Sequence, residues 1–409
     1  MLQICATRRD IRQICRLVQR CNLAVLFVVA LASLTACSVL VDEEINRANV
    51  QKKTTTTAND SYIAFTTHIR LEPSGKPSSV TLVYDLQQKN WSLYASPLRE
   101  QWFFGAKLSV DDPDVMFAVS SSSDEHPKVK DGPYKIATRT LFKCQLDERR
   151  CKPVLSGKQR MAQAIDVPGE GILYVGSDPY IRVGPWSPKP YIAYRQNDFY
   201  LIQPSGETKR LSHMSYAYLT SVSIANGRLI FSASGPNQSR LLPPEMLPPK
   251  RKRGGGVGRS EIFEIDITKS ISEFIVDRDI YEPIVQLGTA KRWSIDMYPS
   301  TVSGSPYIAF YTSDRSLLKG EKPSKGYQYS IAIYDTQSDT LIDTIAGHDN
   351  RTMSNPTMTK DGYVVYFDYY DYAYHIKKYS IAKRATEDVG SIAVLDILRA
   401  ERKSFTIER

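Results

Sequence analysis

Histidine is scarce in this chain. Five occur among 409 residues (His68, His126, His213, His348 and His375), none in an H-E-x-x-H pattern and no two at metal-ligand spacing. That excludes the familiar zinc-hydrolase arrangements. His375, inside the aromatic run YAYHIKKY, reads as a strand residue. A G-x-S-x-G nucleophile frame is also missing. Ser303-Gly304-Ser305 is the nearest fragment, and it precedes a strand-like run instead of a helix, so it reads as a turn. Cysteine is nearly as rare. Cys5, Cys15 and Cys21 lie within the first 22 residues, and only Cys37, Cys144 and Cys151 remain. No cofactor is expected.

What is present suits a folded protein. Apolar content is 42% and charged content 24%, which excludes global disorder. The length allows one to three domains. Tyrosine is over-used, with 25 against 13 Phe and 4 Trp. It fits half-buried pleated surfaces and so favours strands. Of the formal charge of +9, residues 1–36 hold five arginines against one aspartate, leaving +5 for the rest. The high pI overstates the basicity of the folded part, and no nucleic-acid partner is expected.

The N-terminus reads as an address. Residues 1–22 are polar and basic, residues 23–34 are the apolar run LAVLFVVALASL, and Leu34-Thr35-Ala36-Cys37 closes it. That order defines a secretory signal peptide over 1–36. The Leu-Thr-Ala-Cys ending resembles the lipobox of bacterial lipoproteins. The resemblance implies cleavage before Cys37, lipid (palmitate) on that cysteine, and an extracytoplasmic protein tethered to membrane. Ser38, where an aspartate would imply inner-membrane retention, points to the outer membrane. The alternative is an uncleaved anchor, because Leu23 to Val41 is 19 residues without a charge, long enough to span a bilayer. Residues 37–60, with the run Thr54 to Thr57, read as the lipidated cysteine and a flexible tether. Cys144 and Cys151 flank a polar turn in CQLDERRC. Opposed in a hairpin they come within disulfide range, and an oxidising compartment keeps the bond. The alternative is two unrelated thiols.

Residues 61–390 read as a repeated β-unit: a turn, a strand rich in Ile, Val, Tyr and Phe, a polar insertion, then two short strands joined tightly. Copies include YIAF from Tyr62 with TLVYDLQQKNWSLY from Thr81, and VMFAVS from Val115 with TLFKCQLDERRCKPVL from Thr140. GPWSPKPYIAYRQNDFYLIQPSGETKRLS from Gly184 reads as the third. Asn226-Gly227 and Asp361-Gly362 supply tight turns. Units this short bury nothing alone, so copies must stack. The third, fifth and sixth copies resemble the repeat of TolB-type β-propellers, where a Ser-Pro-Asp-Gly-like turn precedes an Ile-Ala-Phe strand. Ser187-Pro188-Lys189-Pro190 and Thr359-Lys360-Asp361-Gly362 match it only in part. The resemblance implies an all-β propeller. Its inner strands are expected near 62, 115, 191, 228, 307 and 363, giving six blades. Gly171 to Val175 is a spare strand that would make seven, and a pair of β-sandwiches is the other alternative. Residues 391–409 read as a closing segment or tail, with a short helix over Ile392 to Leu398.

Basic charge gathers in four insertions, 66–80, 120–139, 236–260 and 313–328, which equivalent loops of a propeller would place on one face. The strongest holds Lys250, Arg251, Lys252 and Arg253 in a Pro-rich and then Gly-rich stretch. These four are the expected contacts for an anionic or protein partner, the alternative being a solvated loop. The chain is thus expected to be a non-catalytic binding or scaffold lipoprotein of the cell envelope. Its expected partner is an envelope protein, a glycan or anionic lipid. Two alternatives remain: a glycan-active enzyme with Asp111, Asp112, Asp114, Asp368 and Asp371 near its funnel, and a subunit of an envelope-spanning secretion machine. The aromatic run from Tyr363 reads as blade packing.

Overall fold

A computed structural model describes residues 48–50, 55–71, 77–98, 102–109, 111–121, 138–184, 187–194, 197–212, 218–234, 261–268, 271, 296–312, 330–346 and 353–408. Residues 1–49 and 70–76 form one compact unit, of which only 48–49 and 70–71 are described, all in strand (β1 is Ala48–Val50). Residues 50–69 and 77–409 form the other, a six-bladed β-propeller.

Blade 1 consists of β2 (Thr55–Ala58), β3 (Tyr62–Leu71), β4 (Pro77–Asp85) and β5 (Asn90–Tyr94). Blade 2 is β6 (Trp102–Leu108), β7 (Val115–Ser121), β8 (Arg139–Gln145) and β9 (Arg150–Gly157). In blade 3, β10 (Arg160–Val167) and β11 (Gly171–Ser177) are followed by a hairpin, β12 (Pro179–Gly184) with β13 (Ser187–Tyr194), that forms a separate two-stranded sheet. The blade resumes with β14 (Asp198–Ile202) and β15 (Thr208–Arg210). Blade 4 shows β16 (Tyr218–Ala225), β17 (Arg228–Ser234) and β18 (Glu261–Asp266) among the described residues. Blade 5 is β19 (Asp296–Ser300), β20 (Tyr307–Thr312), β21 (Ser330–Asp335) and β22 (Thr340–Ala346). Blade 6 is β23 (Thr357–Met358), β24 (Tyr363–Tyr370), β25 (Ala373–Ser380) and β26 (Ala385–Ala393). A helix, α1 (Val394–Arg399), and a last strand, β27 (Thr406–Ile407), follow.

The blades share local rules. The hairpins joining the third and fourth strands of blades 1, 2, 5 and 6 place Lys89, Arg149, Asp339 and Arg384 at positive φ, between 50° and 54°. Asp85 Oδ1 accepts from the backbone N–H groups of Gln87 and Gln88, and Asp335 Oδ1 from those of Gln337 and Ser338. Such side-chain-to-backbone bonds hold a turn open to solvent and fix the pairing register.

The innermost strands touch in sequence around a ring: β2 with β6, β6 with β10, β10 with β16, β16 with β19, β19 with β23, and β23 with β2. Hydrophobic side chains fill the wedges between neighbouring blades. Phe199, Phe231 and Phe263 pack between blades 3 and 4. Val364, Tyr366 and Tyr379 pack against Ile331 and Ile333 between blades 5 and 6. Blades 6 and 1 meet in an aromatic seam, where Phe65 lies 4.0 Å from Phe367 and 4.9 Å from Tyr374 between ring centres. Tyr84 Oη and Trp91 Nε1 donate across it to the Val389 and Ser391 carbonyls. The tyrosine-rich run from Tyr363 is therefore blade packing, with Tyr366, Phe367, Tyr369 and Tyr374 buried.

Two expectations change. The third blade uses Gly171–Ser177, not the strand near 191, so the segment read as spare is the blade and the YIAY segment belongs to the separate hairpin. Leu173, Val175, Phe199 and Leu201 join one core, and that burial outweighs the repeat-like motif. Thr55–Ala58, read as part of the tether, pairs with Tyr62–Leu71 as the innermost strand of blade 1. Its threonines are β-branched and suit a strand.

Candidate functional site

The six innermost strands converge on an axial cavity of about 250 Å³. Four of them carry register shifts, between Phe104 and Lys107, Met161 and Ala164, Thr220 and Val222, and Met297 and Ser300. A bulge re-aims the side chains that follow it. In β6 the turn is made by Gly105 at φ +64°, and Lys107 comes to line the cavity.

Lys107 is the centre of the site. Its Nζ donates to the Val222 carbonyl of β16 at 2.6 Å. Burial lowers its pKa to about 8, with the Asp166 carboxylate of β10 opposing that shift. Asp166 Oδ2 accepts from Ser109 Oγ at 2.7 Å, and the same hydroxyl oxygen accepts from the backbone N–H groups of Asp111 and Asp112. One chain of hydrogen bonds therefore ties the β6–β7 turn to β10. Gln163 Oε1 is buried in the wall with no hydrogen-bond partner. Leaving such an acceptor unmet costs about 1–3 kcal/mol, and because the oxygen has no exposed surface a ligand meets it only if the side chain turns toward the cavity. Asp111 and Asp166 balance Lys107 and Lys360 around the cavity, and no aromatic ring among the described residues lines it.

Among the carboxylates considered for a catalytic funnel, only Asp111 reaches the cavity. Asp112 Oδ1 accepts from the Asp114 N–H and Asp114 Oδ1 from Tyr62 Oη, which is turn chemistry. Asp368 is buried in β24 opposite His375, and Asp371 sits in the β24–β25 turn at φ 49°. His375 stacks on Tyr370 within its strand pair at 3.7 Å. Ser303-Gly304-Ser305 is a turn, whose Gly304 N–H donates to Asn226 Oδ1. Cys144 and Cys151 are opposed in the β8–β9 hairpin and joined by a disulfide. Cys37 and Lys250, Arg251, Lys252 and Arg253 lie outside the described residues.

Sequence reasoning missed Lys107, Ser109, Gln163 and Asp166. Their strands are short and mixed in polarity, without clean alternation. The available signal was the lone lysine in the otherwise apolar WFFGAKL before the turn SVDDPD.

No family model matches the chain, and no curated protein matches it. Solved structures similar in arrangement include TolB from Acinetobacter baumannii, at 11% identity and TM-score 0.45, covering 84% of this chain and 79% of that one. An oligogalacturonate lyase in complex with manganese follows at 12%, TM-score 0.40 and coverages of 83% and 77%. A puromycin-hydrolyzing peptidase of Mycobacterium tuberculosis shows 11%, TM-score 0.42 and coverages of 84% and 53%. Likeness at this level carries no functional argument, but it corrects one expectation. A peptidase and a lyase occur among these structures, so the expectation that this chain is not an enzyme does not stand. The described residues hold no cluster of three or more metal-ligating side chains, and no helix among them is long and apolar enough to cross a membrane.

Proposed function

We propose that this chain is a lipid-anchored binding propeller of the bacterial cell envelope that takes a polar segment of a partner into its axial cavity. The address rests on the signal-like N-terminus ending at Cys37. The binding reading rests on one observation above the others: a partly buried ammonium and an unmet amide oxygen line the same cavity. An ammonium has three donors, and the Val222 carbonyl takes one. A ligand that accepts from Lys107, and donates to Gln163 once that side chain turns toward the cavity, is therefore complementary. A peptide unit carries both groups, and the aromatic-free wall offers no platform for stacking a sugar ring. The basic insertion at Lys250, Arg251, Lys252 and Arg253 would add long-range attraction for an acidic partner.

A photo-crosslinking residue placed at Lys360 on the cavity wall, and separately at Glu207 in the exposed β14–β15 turn, tests the site in intact cells. One dominant protein adduct from position 360 alone is expected. Equal adducts from both positions, or none from 360, contradict it. Palmitate incorporation that is lost in Cys37→Ala tests the anchor separately.

A further inference from the structure

The four main strands of each fully described blade come from one stretch of the sequence, and only the outermost β27 joins a blade, the second, from elsewhere in the chain among the described residues. Blade 1 is built from one end of the propeller and blade 6 from the other, with no strand exchanged between them among the described residues. Among the described residues, the chain after β26 is what crosses the seam from the last blade. That path is well anchored. Val394 and Ile397 of α1 are fully buried, and the Val394 N–H donates to the Tyr372 carbonyl at 2.9 Å. The chain then pairs with the outer edge of blade 1. Lys403 donates to the Leu93 carbonyl at 2.7 Å, accepts from the Ala95 N–H at 3.1 Å, and its Nζ reaches Ser92 Oγ at 2.6 Å.

Phe405 follows, 5% exposed and stacked on Tyr94 at 4.8 Å. It shares a core with Cys144 and Cys151. Finally β27 lies parallel to β9 as the fifth strand of blade 2, Thr406 N–H donating to the Arg149 carbonyl and Glu408 N–H to the Cys151 carbonyl, both at 2.9 Å. Both acceptors belong to the disulfide hairpin. Cys151 is also the one fully buried residue of β9, whose other side chains are exposed or half-buried. The bond to Cys144 therefore pins the edge on which the strap docks, and the strap in turn covers two sulfur-bearing residues that have no exposure at all.

We propose that residues 400–408 and the Cys144–Cys151 disulfide form one latch that closes the ring, each stabilising the other. A dithiol reductant would transfer two hydrogens to the two sulfurs, becoming a disulfide itself. The strap would then lose its pinned edge, and the seam the anchorage that the docked strap gives it, while the backbone stays intact. Coupling between two such events is reciprocal by thermodynamic necessity: whatever strap docking contributes to the disulfide, the disulfide contributes to strap docking. The inference stands whether or not the chain is lipid-anchored.

The test uses the full chain in two forms. Amide hydrogen exchange is followed at residues 403–408 in oxidised protein and in protein fully reduced under native conditions, with reduction verified by a mass gain of two hydrogens. Reduction is expected to speed exchange there at least tenfold while β20 and β24 hold their rates. Separately, the rate of disulfide reduction is compared between the full chain and a chain ending at Arg399. The shortened chain is expected to be reduced at least tenfold faster. Undiminished protection of the strap in fully reduced protein overturns the proposal, as does an unchanged reduction rate in the shortened chain. Cys144→Ala with Cys151→Ala repeats the exchange measurement without reductant.

Discussion

At the scale of single residues, position and not identity decides what matters. Gly171 opens β11 at φ +130°, where a Cβ would stand 2.0 Å from the Ile202 carbonyl oxygen. Gly171→Ala is therefore expected to destabilise the protein by roughly 3 kcal/mol or more, through backbone strain and a clash with a paired strand. A urea titration checks it, and a change under 1 kcal/mol would show that β11 is not packed this way. Lys107 gives a pH signature. Its folded pKa, about 8, lies below the unfolded value near 10.5, so between those values the unfolded chain binds more protons. Stability then rises with pH across that window. Relative to Lys107→Met, the native protein is expected to gain about 2 kcal/mol between pH 7 and pH 9.5. Parallel pH profiles of the two proteins would contradict the buried setting of this amine.

At the scale of elements, the hairpins were legible and the axis was not. Turn chemistry at Asn226-Gly227 and Asp361-Gly362 marks strand pairs because it is local: the residues that supply the positive φ angles sit in the turn itself. The second strands of five blades, beginning at Tyr62, Val115, Arg228, Tyr307 and Tyr363, stand where apolar runs place them. They are buried on both faces, and continuous Val, Ile, Phe and Tyr leave a clear trace. The innermost strands are partly polar and four of the six are bulged. Although each pairs with the strand that follows it, what they face around the axis comes from blades far away in sequence. The site they form was invisible for that reason.

Blade 3 failed for another reason. PYIAY looks like a second strand, but GILYV has the cross-strand partners, Leu173 with Leu201 and Val175 with Phe199. The β12–β13 hairpin stands outside every blade among the described residues. Replacing residues 179–196 by Asn-Gly is expected to leave the melting temperature within a few degrees, whereas deleting 171–177 would abolish folding. The seam behaves differently again. Phe65 is fully buried against blade 6, and Phe65→Ala is expected to cost about 3–5 kcal/mol. A loss below 1 kcal/mol in a urea titration would mean that blades 1 and 6 are not held by this contact.

At the scale of the whole molecule, six sheets too small to be stable alone share wedge-shaped cores, and the ring gives each of them two neighbours. The arrangement leaves a cavity of mixed polarity on the axis, lined from all six blades, and a strap on the rim that reaches from the last blade to the second. The central claim is that the third blade is Gly171–Ser177 within a ring of six. Native-state hydrogen exchange tests it most directly, because isolated two-stranded hairpins open far more readily than packed sheets. Six slow segments are expected, at Tyr62–Ile69, Val115–Ser121, Gly171–Ser177, Arg228–Ser234, Tyr307–Thr312 and Tyr363–Tyr370, with Ser187–Tyr194 exchanging much faster. Slow exchange at Ser187–Tyr194 together with fast exchange at Gly171–Ser177 would contradict the account.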